Sequence, residues 1–414
     1  MSKFIVLTGS WLLYSLPFAL LTGPFLPDLF ICIIAILVTL IIIKEKQTKY
    51  FNNKYFIFFI LFCFYLITRS FLSKSILFSL ESSLFYFRFG FFSIGVWYLI
   101  ENNSKLIKNF SIIFLITFIF ALLDGYYQYF NGLSLFGIEH LGIRLTLPFN
   151  DKLILGGYLA RLFPLLLAVL IYSFDLKKSY IFAVLLILIL TDVLIFVSGE
   201  RTALGLLLLS TVFIIVFLSK YKKIRFFTFL VSLVIMFALA LFNPAIKERN
   251  IDHTINQITG EGSGEVKMFS NVHHNYFLGS WKMFIDNPVF GQGPKMFRIL
   301  CNETKFNINA TEDACSTHPH NTFLQLLAET GIVGTAFILI VLIKIIHLIY
   351  YHGLLYIRNK EYLLSDFQIC LIAGFLVTLW PLIPSQNFFN NWINIIYYLP
   401  VGFFIYSRHV KKRN

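Results

Sequence analysis

Long apolar runs separated by short polar breaks dominate the chain. A bilayer core of about 30 Å needs roughly 20 apolar residues per helix. About twelve runs fit: Phe4–Thr22, Leu26–Ile43, Tyr55–Ile67, Leu80–Leu99, Phe110–Phe130, Leu153–Phe174, Tyr180–Val197, Thr202–Leu218, Phe226–Phe242, Asn321–Ile343, Phe367–Ile383 and Asn391–Tyr406. The pattern predicts an all-α integral membrane protein of about 12 transmembrane helices, with one large loop between helices 9 and 10. It divides the chain into residues 1–242 (helices 1–9), 243–319 (the loop) and 320–414 (helices 10–12 and a basic tail). Inside the loop, Lys247–Gln257 is polar enough for a surface helix, and Gly260–Gly264 reads as a flexible turn. Tyr276–Phe284 has helical apolar spacing with Trp281 on its face and stops at Asn287-Pro288, which suits a helix lying in the bilayer interface. Gly291-Gln292-Gly293-Pro294 lacks the preceding strand and following helix start of a nucleotide-binding glycine pattern, and reads as a turn.

Composition agrees with the pattern. With 58% hydrophobic, 18% aromatic and 13% charged residues, no soluble fold of 414 residues could bury its apolar surface. A net charge of +13 would suit nucleic acid if it lined one face, but the cations sit in short clusters between apolar runs, so they set orientation instead. Alternate breaks hold Lys44, Lys46, Lys49 and Lys54, then Lys105 and Lys108, Lys177 and Lys178, Lys220, Lys222, Lys223 and Arg225, Arg358 and Lys360, and the tail Lys411, Lys412 and Arg413. The opposite short breaks hold Arg69, Lys74, Arg144, Lys152 and Arg201. By the positive-inside rule both termini are cytoplasmic and the long loop is periplasmic. The first apolar run lacks a small-residue cleavage site and reads as a membrane helix. Cys32, Cys63 and Cys370 fall in apolar runs, where a small hydrophobe is the ordinary reading. Cys301 and Cys315 lie in the loop. A disulfide between them would close about 13 residues and contribute about 3 kcal/mol; two free thiols are the alternative.

Ionisable residues at membrane depth are costly and therefore candidates for function. Glu200 and Arg201 sit in the break Ser198–Thr202, Arg161 lies about two turns inside the sixth run beside Pro164, and Arg144 precedes that run. Three arginines at one membrane surface suggest a phosphate-binding pocket, because guanidinium recognises phosphate bidentately. The alternatives are that Arg201 snorkels to lipid headgroups and that Arg161 pairs with Asp151 or Glu200. Arg88, with Glu81 two turns away, suits an internal ion pair. Of the loop histidines, His253 and His274 read as surface residues, and the spacing of His253, His273, His274, His318 and His320 matches no recognised metal-ligand pattern. His320 stands where the loop re-enters the membrane, after Pro319 and before Asn321, where a neutral imidazole could take a proton from an alcohol.

The order of these features resembles the O-antigen ligase and polymerase superfamily of bacterial inner membranes over roughly residues 141–337. The ligase signature is His, then Asn, Ser or Gln, nine residues, and Gly-x-x-Gly. It is matched by His320-Asn321, Thr322–Thr330 and Gly331-Ile332-Val333-Gly334. Ser198–Ala203 (SGERTA), Asp286–Phe297 (DNPVFGQGPKMF) and the LILGGYLARLFPLL segment around Arg161 also resemble segments of the superfamily. Two positions depart. His273 stands where the family often has an arginine, so a second phosphate-contacting cation would be an imidazolium or come from elsewhere, such as Arg298 or Arg249; Gly205 replaces a frequent leucine. The resemblance implies an inverting transfer, without metal or cofactor, of a glycan from undecaprenyl pyrophosphate to an acceptor hydroxyl. His320 would be the base, Arg201, Arg161, Arg144 and His273 the pyrophosphate site, and Asn321, Glu200 and His318 supporting groups. The acceptor would be lipid A core for a ligase, or the next lipid-linked repeat for a polymerase. A secondary transporter is the reading from another class, although no internal symmetry or paired broken helices favour it. A structural scaffold would not need the clustered arginines.

Overall fold

The computed structural model describes residues 2–139, 144–149, 151–174, 178–259, 271–307 and 315–410. The glycine stretch Gly260–Gly264, Lys177 and the basic tail Lys411–Arg413 lie outside the described residues. The apolar runs fall on α1 (Ser2–Ala19), α2 (Phe25–Lys44), α3 (Lys54–Phe71), α4 (Ile76–Ser83), α5 (Phe87–Asn102), α6 (Leu106–Asn131), α7 (Leu155–Ser173), α8 (Lys178–Val197), α9 (Arg201–Phe217) and α10 (Lys222–Phe242). The long loop contributes α11 (Pro244–Lys247), α12 (His253–Thr259), α13 (Asn271–Asp286) and α14 (Phe297–Leu300), and α15 (Thr322–Asn359), α16 (Asp366–Leu379) and α17 (Asn391–Val410) come after it. Seven helical stretches among the described residues are long and apolar enough to cross a membrane: α2, α3, the α4–α5 run Ile76–Asn102, α6, α7, α10 and α15. Ile181–Val197 of α8, α9 and α16 are shorter apolar helices. The protein is a multi-pass helical membrane protein.

Its centre is α7, in which every residue from Leu155 to Leu170 is buried among α6, α8, α9 and α16. By contrast α10 and much of α15 expose apolar side chains such as Phe227, Val234, Ile332 and Ile343 to the surroundings, as lipid-facing helices do. Two features differ from the sequence reading. The fourth run is broken into α4 and α5, and Arg88 stands in the first turn of α5 rather than mid-span. Its partner is Asp28 of α2, at 3.0 Å, and not Glu81, which faces Lys295 at 3.5 Å. The third run is also longer than its apolar core, because Thr68, Arg69 and Ser70 continue α3.

The loop has its own small core of Tyr276, Met283, Met296, Phe297, Leu300, Cys301 and Phe306, packed on Ala328 of α15. Trp281 and Ile285 project from the opposite side of α13 and are exposed. Cys301 and Cys315 are joined by a disulfide, which ties the end of α14 to the segment leading into His318. Gly291-Gln292-Gly293 docks into a break in α15 at Gly331 (φ 63°, ψ −167°). The N–H groups of Gln292 and Gly293 donate to Ala328 O (2.9 Å) and Glu329 O (2.8 Å), while those of Ile332 and Val333 donate to Pro288 O (2.9 Å) and Val289 O (3.2 Å). The backbone groups freed by the break are thus satisfied by the loop, as low-dielectric surroundings require. Arg69 donates to Phe290 O and Gly291 O, both at 3.0 Å from Nε, and so holds the loop from the α3 side. A Cβ on Gly331 would lie 2.6 Å from Gly291 N, and one on Gly291 2.5 Å from Gly331 N, so the two glycines need each other.

Candidate active site

Asn321 and the connection between α16 and α17 hold His320 in position. The Asn321 side chain caps α15, its Oδ1 accepting from Phe323 N and Leu324 N at 3.0 Å, while its Nδ2 donates to Pro381 O at 2.8 Å. This fixes the direction in which the chain enters the helix. His320 itself adopts a left-handed backbone conformation (φ 55°), and its carbonyl accepts from Ser385 N at 2.9 Å. Such a conformation costs a non-glycine residue about 1–3 kcal/mol and persists where the surroundings hold it. Among the described residues the His320 ring makes no hydrogen bond, so its lone pair is available.

Three rings surround it. His318 lies 4.0 Å away between centroids, His273 5.1 Å away edge-on, and Tyr276 5.7 Å away and stacked. His318 Nε2 is 3.3 Å from Ser385 O and its Nδ1 3.0 Å from Thr317 Oγ1. A carbonyl only accepts, so Nε2 carries the proton and Nδ1 receives the Thr317 hydroxyl. Burial, reinforced by His320, depresses the His318 imidazole to about 3; burial, reinforced by His273, depresses His320 to about 4. Burial and then the Arg201 charge lower His273 as well. All three are therefore neutral near pH 7, and His320 can accept a proton there.

The cations form two neighbouring groups. Arg144 and Arg161 both act on Glu200, whose Oε2 accepts from Gly157 N at 3.2 Å. Burial raises the Glu200 carboxyl to about 7, opposed by Arg144, the Gly157 N–H and Arg161. A Cβ on Gly157 would stand 2.8 Å from Arg161 Nη1 and 3.1 Å from Glu200 Oε2, so this approach requires glycine. Arg161 donates to Gly157 O at 3.1 Å, not to the Ala160 carbonyl that Pro164 leaves without its helical donor. Asp151 lies 3.9 Å from Lys152. The second group is Arg201, 3.4 Å from Thr254 Oγ1, with Arg249 and His273 around it. His253 and His274 are exposed. Among the described residues no three His, Cys, Asp or Glu side chains converge as metal ligands.

Residues 184–339 match the O-antigen ligase family. The match takes in Ser198–Ala203, the long loop, His320 and both signature glycines, and leaves out Arg144 and Arg161. It covers fewer than half of the 414 residues. A search of curated proteins finds no match to the chain. Two contributors to the site escaped the sequence reading. Tyr276 carries a weak signal, standing three residues after His273 on one helical face. Ser385, which holds the His320 carbonyl, carries none, since its role depends on the α16–α17 connection folding back over a residue 65 positions earlier.

Proposed function

We propose that the protein is a metal-independent, inverting glycosyltransferase that moves a glycan from undecaprenyl pyrophosphate to a hydroxyl of lipid A core. The observation that carries this reading is a neutral, unbonded His320 imidazole one ring from His273, itself beside Arg201, inside the span that matches the O-antigen ligase family. His320 accepts the proton of the acceptor hydroxyl as its oxygen bonds to the anomeric carbon. The carbon–oxygen bond to pyrophosphate breaks on the opposite face, and undecaprenyl pyrophosphate leaves with the bonding electrons. Arg201, with Arg161 and Arg144 behind it, stabilises the charge gathering on the leaving group, the task a divalent ion performs elsewhere. His273 lies between base and cation, Asn321 and His318 set the position of His320, and Glu200 orders Arg144 and Arg161.

We read the chain as twelve spans in the bacterial inner membrane, with cytoplasmic termini and the catalytic loop in the periplasm. Contacts between helix connections support this reading. Those assigned to the periplasm meet one another, as in Leu145 with Ser198 and Ser385 with His320; those assigned to the cytoplasm do likewise, as in Ser219 with Asp366. The test is the surface polysaccharide profile of a deletion strain, with lipid-linked intermediates extracted in parallel. Long lipid-linked polymer beside bare lipid A core supports a ligase. Single repeats on the core would indicate a polymerase, and unchanged pools together with counterflow uptake in proteoliposomes would indicate a transporter.

A further inference from the structure

The turn Ser198–Arg201 is gripped by the first part of the long loop. Between α11 and α12 the backbone makes one π-helical turn, Glu248–Asp252. Three side-chain bonds fasten the π turn and the start of α12 to this turn and the end of α8: Arg249 Nε to Gly199 O (3.2 Å), Asn250 Nδ2 to Phe196 O (3.1 Å) and Arg201 Nη1 to Thr254 Oγ1 (3.4 Å). Single π turns are rare and concentrate at functional sites, and this one presents Arg249. With Nε committed to Gly199, the Nη groups of Arg249 make no hydrogen bond among the described residues. The residue is half-buried, and the charges of Arg201 and Arg144 act on it, adding to burial in weakening its hold on its proton. Guanidinium groups drawn together and partly out of water repel one another. An anion with charge on two adjacent phosphates relieves that repulsion and fits two planar forks at once.

We propose that Arg249 is a second donor-site guanidinium that binds the pyrophosphate together with Arg201, in the role that His273 would hold by its place in the sequence. His273, neutral and edge-on to His320, then serves the base side of the pocket. This assignment rests on the transferase reading above and extends it to a residue of the π turn.

The test is titration of inorganic pyrophosphate and inorganic phosphate into the purified full-length protein in lipid nanodiscs, monitored by calorimetry. Pyrophosphate is expected to bind more tightly than phosphate. Arg249→Gln should weaken pyrophosphate at least about tenfold, with Arg249→Lys intermediate because it keeps charge without the fork. Lys247→Gln, a change to an exposed neighbour that faces Asp252 at 3.9 Å, should bind as wild type does. Unchanged affinity in Arg249→Gln overturns the proposal; if that variant does not fold, unchanged affinity in Arg249→Lys does so, as does a wild type that ignores pyrophosphate. A glycan-transfer assay separates the two levels. Active wild type with an unchanged donor KM in Arg249→Gln removes Arg249 and leaves the transferase standing, whereas inactive wild type removes the transferase.

Discussion

If His320 is the base, transfer should persist well into acid. An ordinary imidazole is about 3% neutral at pH 5, whereas one depressed to about 4 is about 90% neutral there. The neighbours facing His320 do not alter this, since His318 is depressed to about 3, His273 is also lowered, and Tyr276 only stacks on the ring. The perturbation is pH alone, from 8 to 4.5, and the assay is initial transfer rate with reconstituted protein at saturating donor. The rate at pH 5 should remain within about twofold of that at pH 7 as far as His320 decides it. Glu200 is the other group titrating in this range, near 7, and its contribution is identified by repeating the profile with Glu200→Gln. An acid limb near 6.5 that survives in Glu200→Gln would refute the reasoning, because it would describe a solvated imidazole. The same shifts govern stability. The depressed imidazoles contribute fully above about 6.5 and lose that contribution as pH falls through their folded values, about 4 for His320. The raised Glu200 contributes at low pH, and its contribution is lost as pH rises through about 7.

Arg201→Lys keeps the charge but loses the fork, and should lower kcat/KM roughly 10- to 100-fold, the equivalent of one charge-assisted hydrogen bond; full activity would favour the lipid-snorkelling role. Gly331→Ala forces a side chain into a conformation open essentially to glycine and against the Val289 carbonyl, so it should cost about 1–3 kcal/mol or more and lower the unfolding midpoint in detergent; a midpoint equal to wild type would show that the loop does not dock there. Replacing Cys301 and Cys315 by serine should cost about 3 kcal/mol in the loop-entropy model, read as a lower midpoint that matches reduced wild type.

The apolar runs were legible because lipid imposes length and composition on a helix, and they fall on helices here. The break between α4 and α5 was not, since Leu80–Leu99 contains no proline and Gly90, the glycine nearest the break, lies inside α5; buried Ser70, Ser79 and Ser83 join their hydroxyls at the turn instead. Arg88 shows the limit of reading along a helix, for its partner lies 60 residues upstream on a neighbouring one. Arg69 looked like an orientation charge and instead caps carbonyls of the Gly291 turn, more than 200 residues away. The signature glycines were visible as letters, but their physical reason was not. Gly331 opens α15 to the loop, and a Cβ on Gly334 would come 2.8 Å from Tyr65. Arg144, Arg161 and Arg201 were readable as three cations at one membrane surface, whereas the grouping of Arg201 with Arg249, apart from the Arg144–Arg161–Glu200 cluster, comes with the π turn, which no local pattern announces.

The most direct measurement is reconstitution of purified wild type and His320→Ala with an undecaprenyl-pyrophosphate-linked glycan and lipid A core, in the presence of chelator, monitoring both glycosylated core and released undecaprenyl pyrophosphate. Wild type should form both products in equal amounts with inversion at the anomeric carbon. His320→Ala, inserted and folded, should fall by a factor of about 10² to 10⁴. Near-normal transfer by His320→Ala would remove His320 from the chemistry, and no transfer by folded wild type would contradict the glycosyltransferase assignment itself.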